Sequence, residues 1–171
     1  MAQRALPEEV TFMEKTNALR LLDSAGIPYR ALEYSAEDGR IDALSIAEKT
    51  GLPPDQCFKT LVTENPAHEH FVFVMPATTG LDLKKAAKVS GSKSIAMILQ
   101  KTLLPLTGYI HGGCSPVGMK KLFPTFIEET AQLYDEIGVS GGRIGLTLVL
   151  DPLKLAEFLN AQFADLAKSS E

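Results

Sequence analysis

A glycine-rich segment at residues 107–118, TGYIHGGCSPVG, is the part of the chain best suited to contact a ligand. Four of its eleven residues from 108 to 118 are glycine, which permits turns with positive φ or the close approach of another molecule. Ser115 and Pro116 favour the first turn of a helix, where free backbone N–H groups can bind anions. The segment therefore predicts a wall of backbone donors for a carboxylate, phosphate or ester oxygen.

Lys59 is a charged residue near the start of an otherwise apolar strand pattern at 58–63. With a two-residue period it shares a strand face with Leu61. A lysine in a sheet interior must meet an anion or a carbonyl oxygen, whereas a lysine on an edge strand is solvated and blocks aggregation. The spacing leaves both interpretations open.

The histidines and cysteines give no metal-binding pattern, and no cofactor is expected. His68 and His70 fall in a loop without further ligands, so a surface position is favoured over a metal site. His111 can act as a base or face outward, and the outward position is favoured. A helix start would lower the pKa of Cys114, but no partner histidine is assignable, and both Cys114 and His111 are interpreted as bystanders.

Hydrophobic patterns around these residues predict an α/β (α+β) protein with a mixed, partly closed sheet or barrel surrounded by helices. Helices are expected at 11–25, 42–49, 82–89 and 151–167. Strands are expected at 29–34, 58–63, 70–75, 94–98, 125–128, 137–139 and 146–150. Regular βαβ repeats are missing, and residues 108–113 do not fit the dinucleotide-binding fingerprint, which argues against a Rossmann fold.

Length and composition predict one domain over residues 1–171. The sequence has no window of eighteen apolar residues and no signal-peptide pattern, and its two cysteines offer no disulfide framework. A cytoplasmic protein without a membrane partner is therefore expected.

Charge is unevenly distributed along the chain, whose net charge is −4. Residues 81–121 carry seven lysines against Asp82 alone, while each flanking region has a net charge of −5. Such a local excess can attract an anionic partner, although a solvated lysine face is an equally good explanation. The overall charge argues against a strongly basic nucleic-acid-binding protein.

Four motifs in this order resemble the YbaK/EbsC family, the free-standing relatives of the editing domain inserted in bacterial prolyl-tRNA synthetases. They are DQCFKTL (55–61), LDLKKAAK (81–88), the glycine-rich segment (107–118) and VSGG (139–142). The resemblance extends from about Lys15 to Ala167, and its most specific signal is the K-T pair together with the G-x-x-x-P motif from Gly112 to Pro116.

The resemblance implies hydrolysis in trans of a mischarged aminoacyl-tRNA, chiefly cysteinyl-tRNA(Pro), without metal or cofactor. It implies a catalytic lysine at Lys59 and a catalytic glycine at Gly112. The substrate-binding residues would be Tyr34, Thr60, Gly113, Ser115, Pro116, Ser140 and Thr147. The substrate's own thiol would attack its carbonyl, with attack by water as the alternative. The acceptor end of tRNA is the implied ligand, and prolyl-tRNA synthetase a further partner.

Two departures from the family pattern bear on specificity. Thr147 stands where cysteine-specific members often have an aspartate, and residues 41–42 are Ile-Asp where an aromatic residue is usual. The alternative function is therefore a non-catalytic module that binds tRNA or a synthetase through a drifted pocket. A small-molecule binding protein that uses the same cleft is a third, more distant possibility.

Overall fold

The computed structural model describes residues 15–169, whose eight strands form two β-sheets flanked by five α-helices. The helices are α1 (Asn17–Ala25), α2 (Ala43–Thr50), α3 (Leu83–Ser90), α4 (Leu103–Thr107) and α5 (Pro152–Leu159). The strands are β1 (Arg30–Glu33), β2 (Phe58–Glu64), β3 (His70–Pro76), β4 (Ala96–Met97), β5 (Thr125–Glu128), β6 (Ile137–Ser140), β7 (Leu146–Leu150) and β8 (Gln162–Ala164).

The larger sheet has the strand order β4-β2-β3-β5-β8, and the smaller one has the order β1-β7-β6. β3 pairs with β5, and β5 with β8, in parallel, while every other pair is antiparallel. A parallel bridge between Cys57 and Gly138 joins the start of β2 to β6. The predicted mixed α/β fold is confirmed, but the strands form two adjoining sheets and not a closed barrel.

Apolar side chains from both sheets share the main core. Phe58 and Val74 of the larger sheet and Val139 and Leu148 of the smaller one belong to it, together with residues of α1 and α5. A second core lies under α3 around Phe73, which stacks on Phe126. The strand pattern at 70–75 was therefore correctly interpreted, because Val72 to Met75 are almost fully buried. Among residues 15–169 no helix has the length and apolarity to cross a membrane.

The end of the chain differs from the predicted closing helix. α5 ends at Leu159, because Asn160 takes the left-handed conformation with φ 55° and its N–H bonds back to the helix. Residues 162–164 then form β8 beside β5. Prediction of a helix to Ala167 was wrong, since the apolar residues Phe163 and Leu166 pack beside the sheet instead.

Helix starts were predicted at residue 11 and at Ser115. α1 begins at Asn17, and the Thr16 hydroxyl accepts from the Leu19 N–H at 3.3 Å. The start predicted at residue 11 lies outside the described residues. The prediction of a helix start at Ser115-Pro116 was wrong. The Ser115 hydroxyl accepts from the Val117 N–H in a short turn, and no helix follows.

Candidate active site

A cavity of about 380 Å³ lies where the start of β2, the glycine-rich segment, the loop before α2 and the β6–β7 pair meet. Six of the residues selected from the sequence line it: Tyr34, Lys59, Thr60, Gly112, Ser140 and Thr147. Most of its other side chains are apolar: Ile41, Leu44, Ile46, Phe58, Leu61, Leu103, Val139 and Leu146. An apolar cavity with a few convergent polar groups is the usual form of a small-ligand site.

Lys59 is the cation of the cavity wall. It lies opposite Met75 in the β2–β3 pair and is half-buried. Partial burial lowers the pKa of the Lys59 ammonium, and the positive charge of Lys168 lowers it further, while no described carboxylate acts to raise it. The structure thus places Lys59 at the cavity rather than on a solvated edge, with its charge available to a ligand.

Thr60, the next residue, carries the one buried side-chain oxygen without a hydrogen-bond partner among residues 15–169. Leaving a buried hydroxyl unpaired costs roughly 1–3 kcal/mol. Because Thr60 lines the cavity, a polar group of a bound ligand can satisfy its Oγ1. Both residues of the K-T pair therefore contribute to the cavity wall.

Gly112 is the point at which the glycine-rich segment reaches the cavity. Its φ is 89°, a left-handed conformation that L side chains rarely adopt, and a Cβ there would lie 2.5 Å from Ile41 Cδ1. The Gly113 N–H already donates to the Ile110 carbonyl at 2.9 Å, whereas the Gly112 N–H has no acceptor among the described residues. Gly113 is therefore not a free donor, whereas the Gly112 N–H is one of the backbone donors of this wall that have no acceptor within residues 15–169.

Gly113, Ser115 and Pro116 do not line the cavity. A Cβ on Gly113 would lie 2.9 Å from the Ile144 backbone nitrogen, so this glycine allows two loops to pack closely. Ser115 is fully buried. The structure gives these three residues a supporting position behind Gly112, which sequence motifs alone could not distinguish from direct contact.

Ser140 and Thr147 face each other across the β6–β7 pair and both line the cavity. Ser140 Oγ accepts from the Gly142 N–H at 3.2 Å, which shapes the VSGG turn. Thr147 is packed among buried residues of β7 but also lines the cavity, so a ligand in the cavity can reach this residue. This second wall thus presents one hydroxyl that is engaged with its own turn and one threonine within reach of a ligand.

Tyr34 follows β1 and lines the cavity, and the loop after it is bonded to α2. The Lys49 ammonium is 5.9 Å from the centre of the Tyr34 ring and donates to the carbonyls of Ser35 and Arg40. These contacts tie α2 to the loop that precedes it. Sequence reasoning did not select Lys49, because nothing in its helical spacing distinguishes it from a surface lysine.

The cavity wall includes two side chains that could act as an acid or a base, Asp42 and His111. Asp42 is the one carboxylate among the lining residues, and its oxygens accept from the N–H and hydroxyl of Ser45 as the N-cap of α2. These hydrogen bonds lower the pKa of Asp42. His111 is exposed, as expected, but it lies in a turn rather than on a strand, and it also lines the cavity. Within residues 15–169 no group of His, Cys, Asp and Glu could hold a metal ion.

Sequence comparison assigns this arrangement to a family. The profile of the aminoacyl-tRNA editing domain matches residues 41–158, which include all of the cavity wall except Tyr34. The chain belongs to the aminoacyl-tRNA editing domain family. The family resemblance inferred from the motifs is thereby confirmed.

Relatives of the editing domain family cover most of the chain. EbsC of Enterococcus faecalis, provisionally named a Cys-tRNA(Pro)/Cys-tRNA(Cys) deacylase, is 43% identical over 153 residues, which are 90% of this chain and 93% of EbsC. A proline–tRNA ligase of Burkholderia ambifaria is 24% identical over 136 residues, 77% of this chain but 24% of the ligase. A crystal structure described provisionally as a trans-editing enzyme for prolyl tRNA synthetase has a TM-score of 0.80 at 25% identity, covering 92% of this chain and 100% of the other.

Proposed function

We propose that this editing domain hydrolyses the ester bond of mischarged aminoacyl-tRNA in trans, with cysteinyl-tRNA(Pro) as its main substrate. The observation that carries the proposal is the single cavity that brings Lys59 and Thr60 together with Gly112. Family membership and the name of the E. faecalis relative support the substrate class.

Lys59 and Gly112 would supply the electrostatic part of catalysis. As the ester is attacked, negative charge develops on the carbonyl oxygen, and donors fixed in advance stabilise it. The Gly112 N–H would bind that oxygen, while the Lys59 ammonium polarises the ester or binds the terminal ribose. Thr60 and Thr147 would hold polar groups of the aminoacyl moiety.

No side chain of the wall is well suited to be the nucleophile. Burial raises the pKa of the Cys57 thiol to about 11 and that of Cys114 to about 12, so both stay protonated at neutral pH. Asp42 is engaged as a helix cap. These facts favour attack by the substrate's own thiol, which would form a cyclic thioester as the ribose oxygen leaves with a proton. Water positioned by the cavity is the competing nucleophile.

The apolar wall would accept a small aminoacyl group, and the lysine-rich region from 81 to 121 would attract the acceptor stem. Because isolated phosphate contacts bind weakly at physiological salt, selection of the tRNA would come from a complex with prolyl-tRNA synthetase. An aminoacyl-tRNA substrate also implies that the protein acts in the cytoplasm.

A deacylation assay with cysteinyl-, alanyl- and prolyl-tRNA(Pro) tests the proposal. We expect cysteinyl-tRNA(Pro) to be hydrolysed fastest and Lys59→Ala to lose at least about 100-fold in rate, as for removal of an oxyanion donor. Lys154→Ala, at an exposed lysine of α5, is the matched control. Activity on the alanyl ester, which has no thiol, would rule out an obligatory thiol-assisted route.

Two results would overturn the proposal. Lys59→Ala with wild-type activity would remove the assigned role of that lysine. Failure to hydrolyse any of the three esters, with tRNA binding retained, would instead support the non-catalytic module.

A further inference from the structure

Lys49, in the last turn of α2, is bonded to the loop of residues 35–40. Its ammonium donates to three acceptors in that loop: the Ser35 carbonyl at 2.7 Å, a carboxylate oxygen of Asp38 at 2.7 Å and the Arg40 carbonyl at 2.9 Å. An ammonium has three N–H donors, so all of its hydrogen-bonding capacity is directed to the loop. The Lys49 side chain is only 18% exposed, although lysines are mostly exposed in proteins. Lys49 therefore anchors the 35–40 loop to α2.

The 35–40 loop joins two residues of the cavity wall, Tyr34 and Ile41. The start of the loop is also held by another segment, because the Tyr34 N–H donates to the Gly145 carbonyl at 3.0 Å. At its end, the hydrogen bonds that Arg40 forms with the described residues go only to the loop itself and to α2. The position of Ile41 thus depends on the contacts between the loop and α2.

Arg40 and Lys49 are the side chains that connect this end of the loop to α2 within residues 15–169. Arg40 donates to the Ser45 hydroxyl at 3.3 Å and to the Glu48 carboxylate at 3.1 Å. The side chains of Arg40 and Glu48 are both exposed, and an exposed ion pair adds about 0–1 kcal/mol. Lys49 is more buried and bonds directly to the backbone. It is therefore the principal link between α2 and the residue before Ile41.

Ile41 lies against the glycine whose N–H would bind the ester oxygen. A Cβ built at Gly112 would lie 2.5 Å from Ile41 Cδ1 and 3.3 Å from Ile41 Cγ1. Movement of Ile41 away from Gly112 would therefore widen the cavity beside the reacting ester. The Lys49 ammonium also lies 5.9 Å from the centre of the Tyr34 ring, within the range of a cation–π contact. One ammonium thus restrains both cavity residues that flank the 35–40 loop.

We propose that Lys49 is a positioning residue that sets the width of the active site and so limits the size of the aminoacyl group that it accepts. The inference rests on the proposed function, because that function places the aminoacyl group against the apolar wall and its ester at Gly112. Lys49 does not line the cavity, so it acts through the 35–40 loop and not on the substrate. Without its three hydrogen bonds, Ile41 moves outward and a bulkier aminoacyl group fits.

Two adenosine amides test the inference without catalysis. Each carries a cysteinyl or a leucyl group on its 3′ position through an amide in place of the ester. We expect the wild type to bind the cysteinyl amide at least about tenfold more tightly, because an apolar pocket discriminates against added methylene groups by this order. Lys49→Met, which keeps the apolar stem but removes the donors, should reduce this ratio at least about fivefold. Lys49→Arg retains N–H donors and should restore most of it.

Lys15→Met is the matched control for the loss of a lysine–aspartate pair. Lys15 bonds to Asp23 of α1 at 2.6 Å and lies outside the cavity lining, so its substitution should leave the ratio unchanged. Asp38→Ala removes one of the three acceptors of Lys49 and should have an intermediate effect. Because the two residues act through one contact, adding Asp38→Ala to Lys49→Met should cause no further loss. Thermal unfolding checks that each variant is folded.

Methyl NMR follows the cavity wall directly. In Lys49→Met, the resonance of the Ile41 δ1 methyl should shift and its order parameter should fall. The methyl groups of Ile95, which is buried in the second core, should stay unchanged. A general loss of stability would instead alter both isoleucines, so this comparison separates positioning of the wall from support of the whole fold.

An unchanged ratio of affinities in Lys49→Met would overturn the inference, as would an Ile41 methyl that stays as in the wild type. Equal binding of the two amides by the wild type, or the same loss of selectivity in Lys15→Met, would overturn it too. In the deacylation assay, the ratio of kcat/KM for the cysteinyl over the leucyl ester should fall by the same factor. Lys49-dependent selectivity for the amides without hydrolysis of any ester would support the positioning role while it contradicts the proposed deacylase activity.

Discussion

Cys57 and Cys114 both line the cavity, and both are buried. The Cys57 thiol donates weakly to the Ala43 carbonyl at 3.5 Å, and Cys114 packs in the main core. A helix start at Ser115 would have lowered the pKa of Cys114, but no helix begins there, and burial raises that pKa instead. At the scale of single residues, burial therefore leaves both cysteines as unreactive packing groups.

Alkylation of the two thiols tests this view. At pH 8.5 we expect iodoacetamide to modify the folded protein at least about tenfold more slowly than the urea-unfolded chain, because the buried thiols stay protonated. Cys114→Ala should keep deacylase activity within about threefold, although truncation in the core costs about 1 kcal/mol of stability. Mass spectrometry measures the first effect. Rapid labelling of folded Cys114, or loss of activity in Cys114→Ala with folding intact, would contradict it.

The glycine-rich segment acts as an element rather than as separate residues. The Tyr109 hydroxyl donates to the Val117 carbonyl at 2.6 Å, which closes the segment into a compact loop. Gly112 meets Ile41 from the loop before α2, and Gly113 packs on the backbone at Arg143 and Ile144. The loop is thus held between two other walls, and Gly112 takes a backbone conformation that only glycine adopts without strain.

Gly112→Ala should lose both stability and activity. The left-handed φ costs an L residue about 1–2 kcal/mol, and the new Cβ would displace Ile41 within the cavity. We expect deacylation to fall by at least about tenfold. Gly91→Ala is the matched control for backbone strain, because Gly91 has φ 70° at the end of α3 and lies outside the cavity lining. Equal activity of the two variants, measured beside thermal unfolding, would speak against a role for Gly112 in the reaction.

Asn160 decides where α5 ends, and a substitution there distinguishes the observed turn from the helix expected at 151–167. In the left-handed conformation, Asn160→Ala should lower the free energy of unfolding by about 1 kcal/mol. In a continuous helix the same change would raise it, because alanine is the better helix former. Asn160→Gly should be neutral or slightly stabilising. Urea denaturation gives the sign, and stabilisation by alanine would contradict the described end of α5.

At the scale of the whole molecule, charge is divided between regions of opposite sign. No acidic residue occurs between Asp82 and Glu128, whereas the chain as a whole has a net charge of −4. Lys101 and Lys121 are exposed in this stretch, near α4 and the glycine-rich segment. A chain with a net negative charge can therefore carry a lysine-rich region that attracts an anionic partner.

Charge reversal at a single lysine tests whether tRNA binds through the lysine-rich region from 81 to 121. Lys101→Glu should weaken binding of uncharged tRNA(Pro) by about three- to tenfold at 100 mM salt, with a smaller effect at higher salt. Lys154→Glu alters the net charge equally but lies on α5, outside the lysine-rich region. Fluorescence anisotropy compares the two variants. The same loss in both would show that only the total charge matters.

Local patterns identified most elements and the outline of the site. The strand at 70–75 and the helices that begin at Asp42 and Asp82 depend on neighbouring residues, so the sequence was sufficient to predict them. The motifs that carry Lys59, Gly112 and Ser140 were found because their residue types are unusual in their elements. Residues 162–164 were wrongly predicted to be helical, because a helical pattern of apolar residues carries no information about pairing with the edge of β5.

The sequence by itself determined the family, the mixed α/β class and the residues that could do chemistry. Only the tertiary structure decided which of them share a cavity, because that depends on pairing between distant segments. The bridge from Cys57 to Gly138 brings β6 and β7 beside Lys59, and so converts an ambiguous strand lysine into a cavity residue. This contact cannot be predicted from local sequence patterns, because it forms between distant segments only once the sheets have assembled.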